Sequence, residues 1–221
     1  MSQIKLVVFD MDGTIIEPRS SWAMIHDYFG TDNTEMLQMY IDHKISDMEF
    51  VKADIKLWNS KSDVPVNEKY INSILDKAKP RKGAEELITS LHEANIKTVI
   101  LSGGIQYLAD KWAKEWNMAC AFANDLIDDA DGNLTANINA SGHNKGPLME
   151  KIIKDFDLTG NEVAAVGDTM VDLPMFEIAG LSIAVNTDDE RVISKSKYHL
   201  KEGSMKQLSD VIISWKNELI N

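Results

Sequence analysis

Three apolar runs in this chain each end on a polar residue, and that repeated pattern limits the folds open to it. Ile4-Lys5-Leu6-Val7-Val8-Phe9 leads into Asp10-Met11-Asp12-Gly13-Thr14. Thr98-Val99-Ile100-Leu101 leads into Ser102-Gly103-Gly104, and Glu162-Val163-Ala164-Ala165-Val166 into Gly167-Asp168-Thr169-Met170-Val171-Asp172. Short apolar runs bounded by turn residues read as buried strands. Between and after them apolar residues recur at helical spacing: Ile105, Leu108, Ala109, Trp112 and Trp116, then Leu148, Ile152, Ile153 and Phe156. A helix that Pro174 can begin precedes another strand-like run at Leu181–Val185, and Met205, Leu208, Ile212, Trp215 and Leu219 mark a final amphipathic helix. Strands alternating with helices imply crossover units on a parallel sheet. Ligands of such sheets bind beyond the carboxyl ends of the strands. Adjacent strands would therefore gather Asp10, Asp12, Asp168, Asp172, the Ser102 hydroxyl and glycine-lined backbone in one crevice, an arrangement that points to an enzyme.

Residues 16–80 follow a different pattern. Trp22, Ile25 and Phe29, then Met36, Met39 and Tyr40, then Phe50, Ala53 and Leu57, then Tyr70, Ile74 and Leu75 mark helices separated by polar breaks, with no convincing strand. A small helical cap inserted directly after the first strand would sit over the mouth of the crevice as a lid, with residues 1–15 and 81–221 forming the α/β core. Residues 126–138, centred on Ala130-Asp131-Gly132-Asn133, read as a hairpin. A calcium loop is the poorer fit, since aligning Gly132 with the loop glycine puts Ile127 and Ile138 where carboxylates belong.

A length of 221 residues with 44% hydrophobic content supports one core domain with such an insert. The net charge of −12 argues against nucleic acid held on a broad basic face. It leaves room for a phosphorylated substrate, because a metal ion and one lysine reverse the potential locally. Cys120 is the sole cysteine, so an intrachain disulfide is excluded, and its apolar neighbours make it a small core residue. The short apolar run at the start passes into a charged turn, unlike a signal peptide, and nothing approaches the ~20 apolar residues of a membrane span. A cytoplasmic protein is expected, monomer or homodimer.

Asp10 and Asp12, two apart just past a strand, can both face one cavity if the turn is sharp. A carboxylate is a competent nucleophile toward phosphorus, and a second carboxyl can protonate the leaving oxygen and then activate water. Asp168 and Asp172 with Asp10 would suit one hard divalent cation such as Mg²⁺. The Ser102 hydroxyl and Gly103 N–H would be donors to phosphate oxygens at a helix N-terminus, and Lys145 could neutralise the nucleophile and the phosphoryl group. Each residue has an ordinary reading too. Asp-Xaa-Asp-Gly is a common turn, Asp172 and Ser102 could be helix caps, and Lys145 and His143 could be solvated surface groups. Trp22 and Trp58 could line a substrate pocket or simply pack in the insert.

Together these residues resemble the haloacid dehalogenase superfamily of phosphohydrolases. Asp10-Met11-Asp12-Gly13-Thr14 is similar to its first motif, Ser102 to its second, Lys145 to its third, and the stretch from Gly167 to Asp172 to its fourth. The resemblance implies a Rossmann-like parallel sheet core with a helical cap, Asp10 as nucleophile, Asp12 as general acid/base, and Ser102 and Lys145 as phosphate ligands. It also implies Mg²⁺ held by Asp10, the backbone carbonyl of Asp12 and Asp168, with Asp172 in support. The insert, Leu101-Ser102-Gly103-Gly104, Phe122-Ala123-Asn124 and Asn144-Lys145-Gly146 resemble the phosphoserine phosphatase branch. Gly13 stands where that branch usually has Ser, and Val171 where it has Asn. An ungapped register puts Arg19 at the position of its substrate-gripping Glu and Asp54 near that of its Arg, reversing the charges. The expectation is a Mg²⁺-dependent phosphatase of a small phosphomonoester metabolite acting through an aspartyl-phosphate. A phosphomutase, a sugar-phosphate phosphatase and a non-catalytic regulatory protein of the same fold are the alternatives.

Overall fold

A computed structural model describes residues 2–141 and 144–217. In chain order, β1 (Ser2–Gln3) and β2 (Leu6–Phe9) precede helices α1 (Ser21–Phe29), α2 (Thr34–Ile41), α3 (Asp47–Asn59) and α4 (Glu68–Leu75). The chain continues through α5 (Ala84–Glu93), β3 (Lys97–Ile105), α6 (Gln106–Glu115), β4 (Cys120–Asp128), β5 (Leu134–Asn137) and α7 (Lys145–Asp155). It closes with β6 (Val163–Gly167), α8 (Leu173–Ile178), β7 (Leu181–Val185), α9 (Glu190–Ile193), β8 (Tyr198–Leu200), α10 (Leu208–Ser214) and β9 (Lys216–Asn217).

Seven strands form one sheet in the order β5-β4-β3-β2-β6-β7-β8, parallel except for the β4–β5 hairpin. The strands that carry the polar ends are thus neighbours, with β2 between β3 and β6. Because β2 is buried on both faces, its side chains alternate between two cores. Val7 and Phe9 pack with Leu87, Leu91, Leu108 and Leu208 on one side. Leu6 and Val8 pack with Met149, Ile152, Met175 and Phe176 on the other.

Helices α1, α3 and α4 build a third core, in which Ile25, Trp58, Ile71 and Leu75 meet Ile105, Leu126 and Leu134 of the sheet side. Their ends carry local signals: Ser20 caps α1 through Ala23 N, Gly30 ends α1 in the left-handed region (φ 61°), and Ser46 with Glu49 forms a capping box on α3. Where the insert leaves and rejoins the sheet domain, Ile16 pairs with Pro80, flanked by Glu17 N to Lys79 O and Arg81 N to Ile15 O, both 2.9 Å. No described helix is long and apolar enough to cross a membrane.

Two expectations about elements are corrected. Ser102 does not open a helix: β3 runs on to Ile105, and its pairing with β4 shifts register between Leu101 and Ile105, so Ser102, Gly103 and Gly104 bulge from the strand before α6 starts at Gln106. The final helix stops at Ser214, since Trp215 turns to extended backbone (φ −60°, ψ 126°) and Lys216–Asn217 pairs with Ser2–Gln3. Leu219, assigned to that helix, lies outside the described residues.

Candidate active site

The first carboxylates are placed by an abrupt end to β2. Asp10 (φ −66°, ψ 157°) and Asp12 (φ −66°, ψ 127°) are extended, and Gly13 turns the chain in the left-handed region at φ 72°. A Cβ on Gly13 would also collide with the Asp168 carboxylate, so glycine is required there for two reasons. Arg81, at the end of the insert, fixes the turn: its guanidinium donates to Gly13 O at 2.7 Å and Thr14 O at 3.0 Å. Asn186 Nδ2 adds a bond to Gly13 O at 3.2 Å.

Lys145, buried at the start of α7, donates from Nζ to Asp10 Oδ1 at 2.7 Å and to Asp172 Oδ1 at 2.6 Å. Asp172 Oδ2 accepts the N–H groups of Asp168 and Thr169, both at 3.0 Å, and so folds the loop after β6 back toward Asp10. Both Asp172 oxygens are therefore committed to protein donors. Among the described residues the Asp168 carboxylate accepts only a long bond, from Thr14 Oγ1 at 3.4 Å, and Asp10 Oδ2 has no protein donor. Asp10, Asp168 and Asp172 each present an oxygen within 4.8 Å of the others.

One ammonium thus faces three buried carboxylates, and the electrostatics record the imbalance. Burial, then Asp10 and Asp172, push Asp168 up to about 8. Burial and Asp172 raise Asp10 in the same direction, with Lys145 opposing. Lys145 itself is held above its ordinary value, since its two carboxylate partners outweigh its desolvation. Hard, mutually repelling oxygen donors fit a hard divalent cation, with Asp10 and Asp168 available to it and Asp172 bracing both from behind.

Asp12 is differently placed. Its Oδ2 accepts from Ser21 N and from Ser21 Oγ, both at 2.7 Å, while Oδ1 is buried with no partner. Ser21 Oγ in turn accepts from Ile105 N at 3.1 Å. Burial raises the Asp12 carboxyl above the usual carboxylate range against the lowering effect of the Ser21 bonds. The pair is packed so closely that a Cβ on Gly104 would come within 2.7 Å of Asp12 Oδ2.

The bulge on β3 places Ser102, buried, with Oγ accepting from Gly104 N at 3.2 Å. Gly103 O is held by Trp22 Nε1 at 3.0 Å and Asn124 Nδ2 at 2.9 Å. Asn124 also donates to Ala140 O and accepts from the N–H groups of Asn139 and Ala140, tying the bulge to the loop ahead of Lys145. Asp10, Asp168, Asp172 and Lys145 are thus brought into direct contact or close range. His143 lies outside the described residues. Ser21, Arg81, Asn124 and Asn186 were not singled out as contributors by sequence; only Asn124 carried a signal, as part of the family resemblance.

A cavity of about 420 Å³ opens between the insert and the bulge, lined by Trp22, Leu37, Tyr40 and Phe50 on one side and Gly103 and Asn124 on the other. Trp22 does line it, while Trp58 is fully buried and stacks on Trp22 at 6.3 Å. Neither residue of the reversed-charge register faces it. Arg19 is exposed, and Asp54 is fully buried against His26 Nε2 and Asn33 Nδ2, each at 3.2 Å.

Comparison with known proteins gives the family and the fold. The family model for haloacid dehalogenase-like hydrolases matches residues 4–180. Over 189 residues the chain is 30% identical to the phosphoserine phosphatase of Archaeoglobus fulgidus, covering 84% of this chain but 53% of that one, so it spans about half that relative's length. It is 28% identical to the phosphoserine phosphatase of Methanocaldococcus jannaschii over 184 residues, 81% of this chain and 84% of that one. A solved phosphoserine phosphatase bearing a phospho-aspartyl intermediate analogue superposes with a TM-score of 0.77 over 96% of this chain and 100% of the other, at 24% identity, a likeness of fold.

Proposed function

Because the chain belongs to the haloacid dehalogenase-like hydrolase family, we propose that it is a Mg²⁺-dependent phosphatase that hydrolyses a small phosphomonoester through an aspartyl-phosphate on Asp10. The observation that carries this reading is the Lys145 ammonium bonded to both Asp10 and Asp172, beside an Asp12 whose second oxygen is buried without a partner. A site built only to bind phosphate would not require two buried acids.

In the first step an Asp10 oxygen attacks phosphorus and the ester P–O bond breaks, while Asp12 gives its proton to the leaving alkoxide. In the second, water attacks the same phosphorus, Asp12 takes a proton from it, and the Asp10–phosphorus bond breaks to restore the carboxylate. Lys145, the Ser102 hydroxyl and the Gly103 N–H hold the transferring oxygens, so charge developing on them meets donors already in position. Asp10 and Asp168, with the Asp12 carbonyl, would hold Mg²⁺, which when bound supplies further charge neutralisation. Residues 16–80 serve as a cap that excludes water, hinged where Ile16 pairs with Pro80.

Phosphate release from a panel of phosphomonoesters, with Mg²⁺ and with chelator, tests this reading. Turnover is expected to need Mg²⁺ and to fall at least roughly 10³-fold in Asp10→Asn. An Asp10→Asn enzyme with near wild-type turnover, or product isomerisation without free phosphate, would contradict it.

A further inference from the structure

The cavity over the bulge carries information about the substrate, given the phosphatase reading above, on which this inference rests. It shares Gly103 with the proposed phosphate cradle and is lined by Val171, next to Asp172, so it is the cavity beside that cradle into which a leaving alcohol would extend. Its volume of about 420 Å³ lies in the range of small-molecule pockets, about 300–1,000 Å³. Trp22, Leu37, Tyr40, Phe50 and Val51 supply most of its wall.

Most of its polar side chains are already engaged, His26 among them, with Nδ1 against Thr31 Oγ1 and Trp58 Nε1 and Nε2 at 3.2 Å from Asp54 Oδ1. Asp47 accepts the Tyr40 hydroxyl at 2.7 Å, Asn33 donates to Asp54, and Ser20 caps α1. No lysine or arginine is among its described lining residues. A leaving group bearing a carboxylate would bring that charge against these apolar walls with no lysine or arginine among the described lining residues to pair it, which disfavours its binding. Wide apolar walls and the absence of a lysine or arginine from the described lining, whose imidazole His26 is paired with Asp54, therefore act together as a selection.

We propose that the alcohol released is a carboxylate-free one with an apolar body, and that O-phosphoserine is a poor substrate. Phe50 and Leu37 set that preference by contact with the alcohol. Both 2-phenylethyl phosphate, whose body is neutral, and phosphocholine, whose methylated ammonium is apolar at its surface, share this chemistry.

Binding of 2-phenylethyl phosphate, phosphocholine and O-phosphoserine to full-length Asp10→Asn with Mg²⁺, read by titration calorimetry, separates this inference from the phosphatase reading, since no turnover is needed. Either apolar ester is expected to bind roughly 30-fold more tightly than O-phosphoserine, the factor that burying one apolar group supplies. Leu37, half-exposed at the rim on α2, tolerates a polar replacement. Adding Leu37→Arg is expected to narrow the gap roughly tenfold by giving a carboxylate its missing partner. Equal or tighter binding of O-phosphoserine to the Asp10→Asn protein would overturn the inference, as would a Leu37→Arg variant that folds and leaves the ratio unchanged. Selective binding with no turnover in the wild type would uphold the pocket assignment and count against the reaction instead.

Discussion

At the scale of single residues the site is a balance of buried charges, and its least obvious member is Ser21. Both bonds to Asp12 Oδ2 come from this one residue, which is itself held by Ile105 N. Ser21→Ala keeps the backbone bond and loses the hydroxyl one, so Asp12 moves further above its ordinary value. The expected outcome is a kcat about tenfold lower with KM little changed, the scale of one hydrogen bond to a charged group. Because Asp12 must be deprotonated to activate water, the acidic limb of the kcat profile is expected to move to higher pH. Ser21→Thr should restore it, and a merely structural role would move neither limb. Gly13→Ala is expected to lower stability by at least ~1–2 kcal/mol in urea unfolding, from the left-handed backbone alone. Asp10, Asp12, Lys145, Asp168 and Asp172 could be named as candidates from the sequence because each follows a strand-like run or opens a helix, and Ser102 because it ends the apolar run 98–101. Ser21, Arg81 and Asn186 were not so named, since they act on backbone groups or carboxylates brought near only by folding; Arg81 and Gly13 are 68 positions apart.

At the scale of elements, apolar runs located the central strands, and helical periods located helices between Ser21 and Leu75. They failed where tertiary pairing overrode local pattern. A serine followed by two glycines reads as a helix entry, but parallel pairing of β3 with β4 carries the strand past them and expels the surplus as a bulge. The same pairing competition ends the last helix, where Lys216–Asn217 joins Ser2–Gln3. The α5–β3 junction yields a pH prediction. His92 Nε2 bonds Thr98 Oγ1 at 2.8 Å, and burial lowers the imidazole below its usual 6.5. The unfolded chain binds the proton more readily, so this contribution is present above pH 6.5 and is lost as pH falls from there toward the lowered folded value. Thermal melting across that window should show a drop that is smaller in His92→Gln; an identical slope in the variant would refute the assignment.

At the scale of the whole molecule, a chain of net charge −12 concentrates three carboxylates around one lysine at the centre of its sheet. Metal should therefore be linked to folding. A ligand bound to the native state alone at a hundred times its Kd adds about 2.7 kcal/mol, and Mg²⁺ is expected to raise the melting temperature accordingly. In Asp168→Asn the metal-free protein should melt no lower than wild type, because a repelling charge is gone, while the Mg²⁺-dependent rise disappears. Retention of that rise would remove Asp168 from the cation site. Residues of α1, α3 and α4 share a core with Ile105, Leu126 and Leu134, and the apolar cavity lies between the helical segment and Gly103 of the bulge. The central claim is that the phosphoryl group passes through Asp10, and borohydride trapping during turnover, followed by peptide mass spectrometry, reads it directly. Conversion of Asp10 to homoserine only when a phosphomonoester is present is the expected result. Turnover that leaves Asp10 unmodified, or modification at another residue, would contradict it.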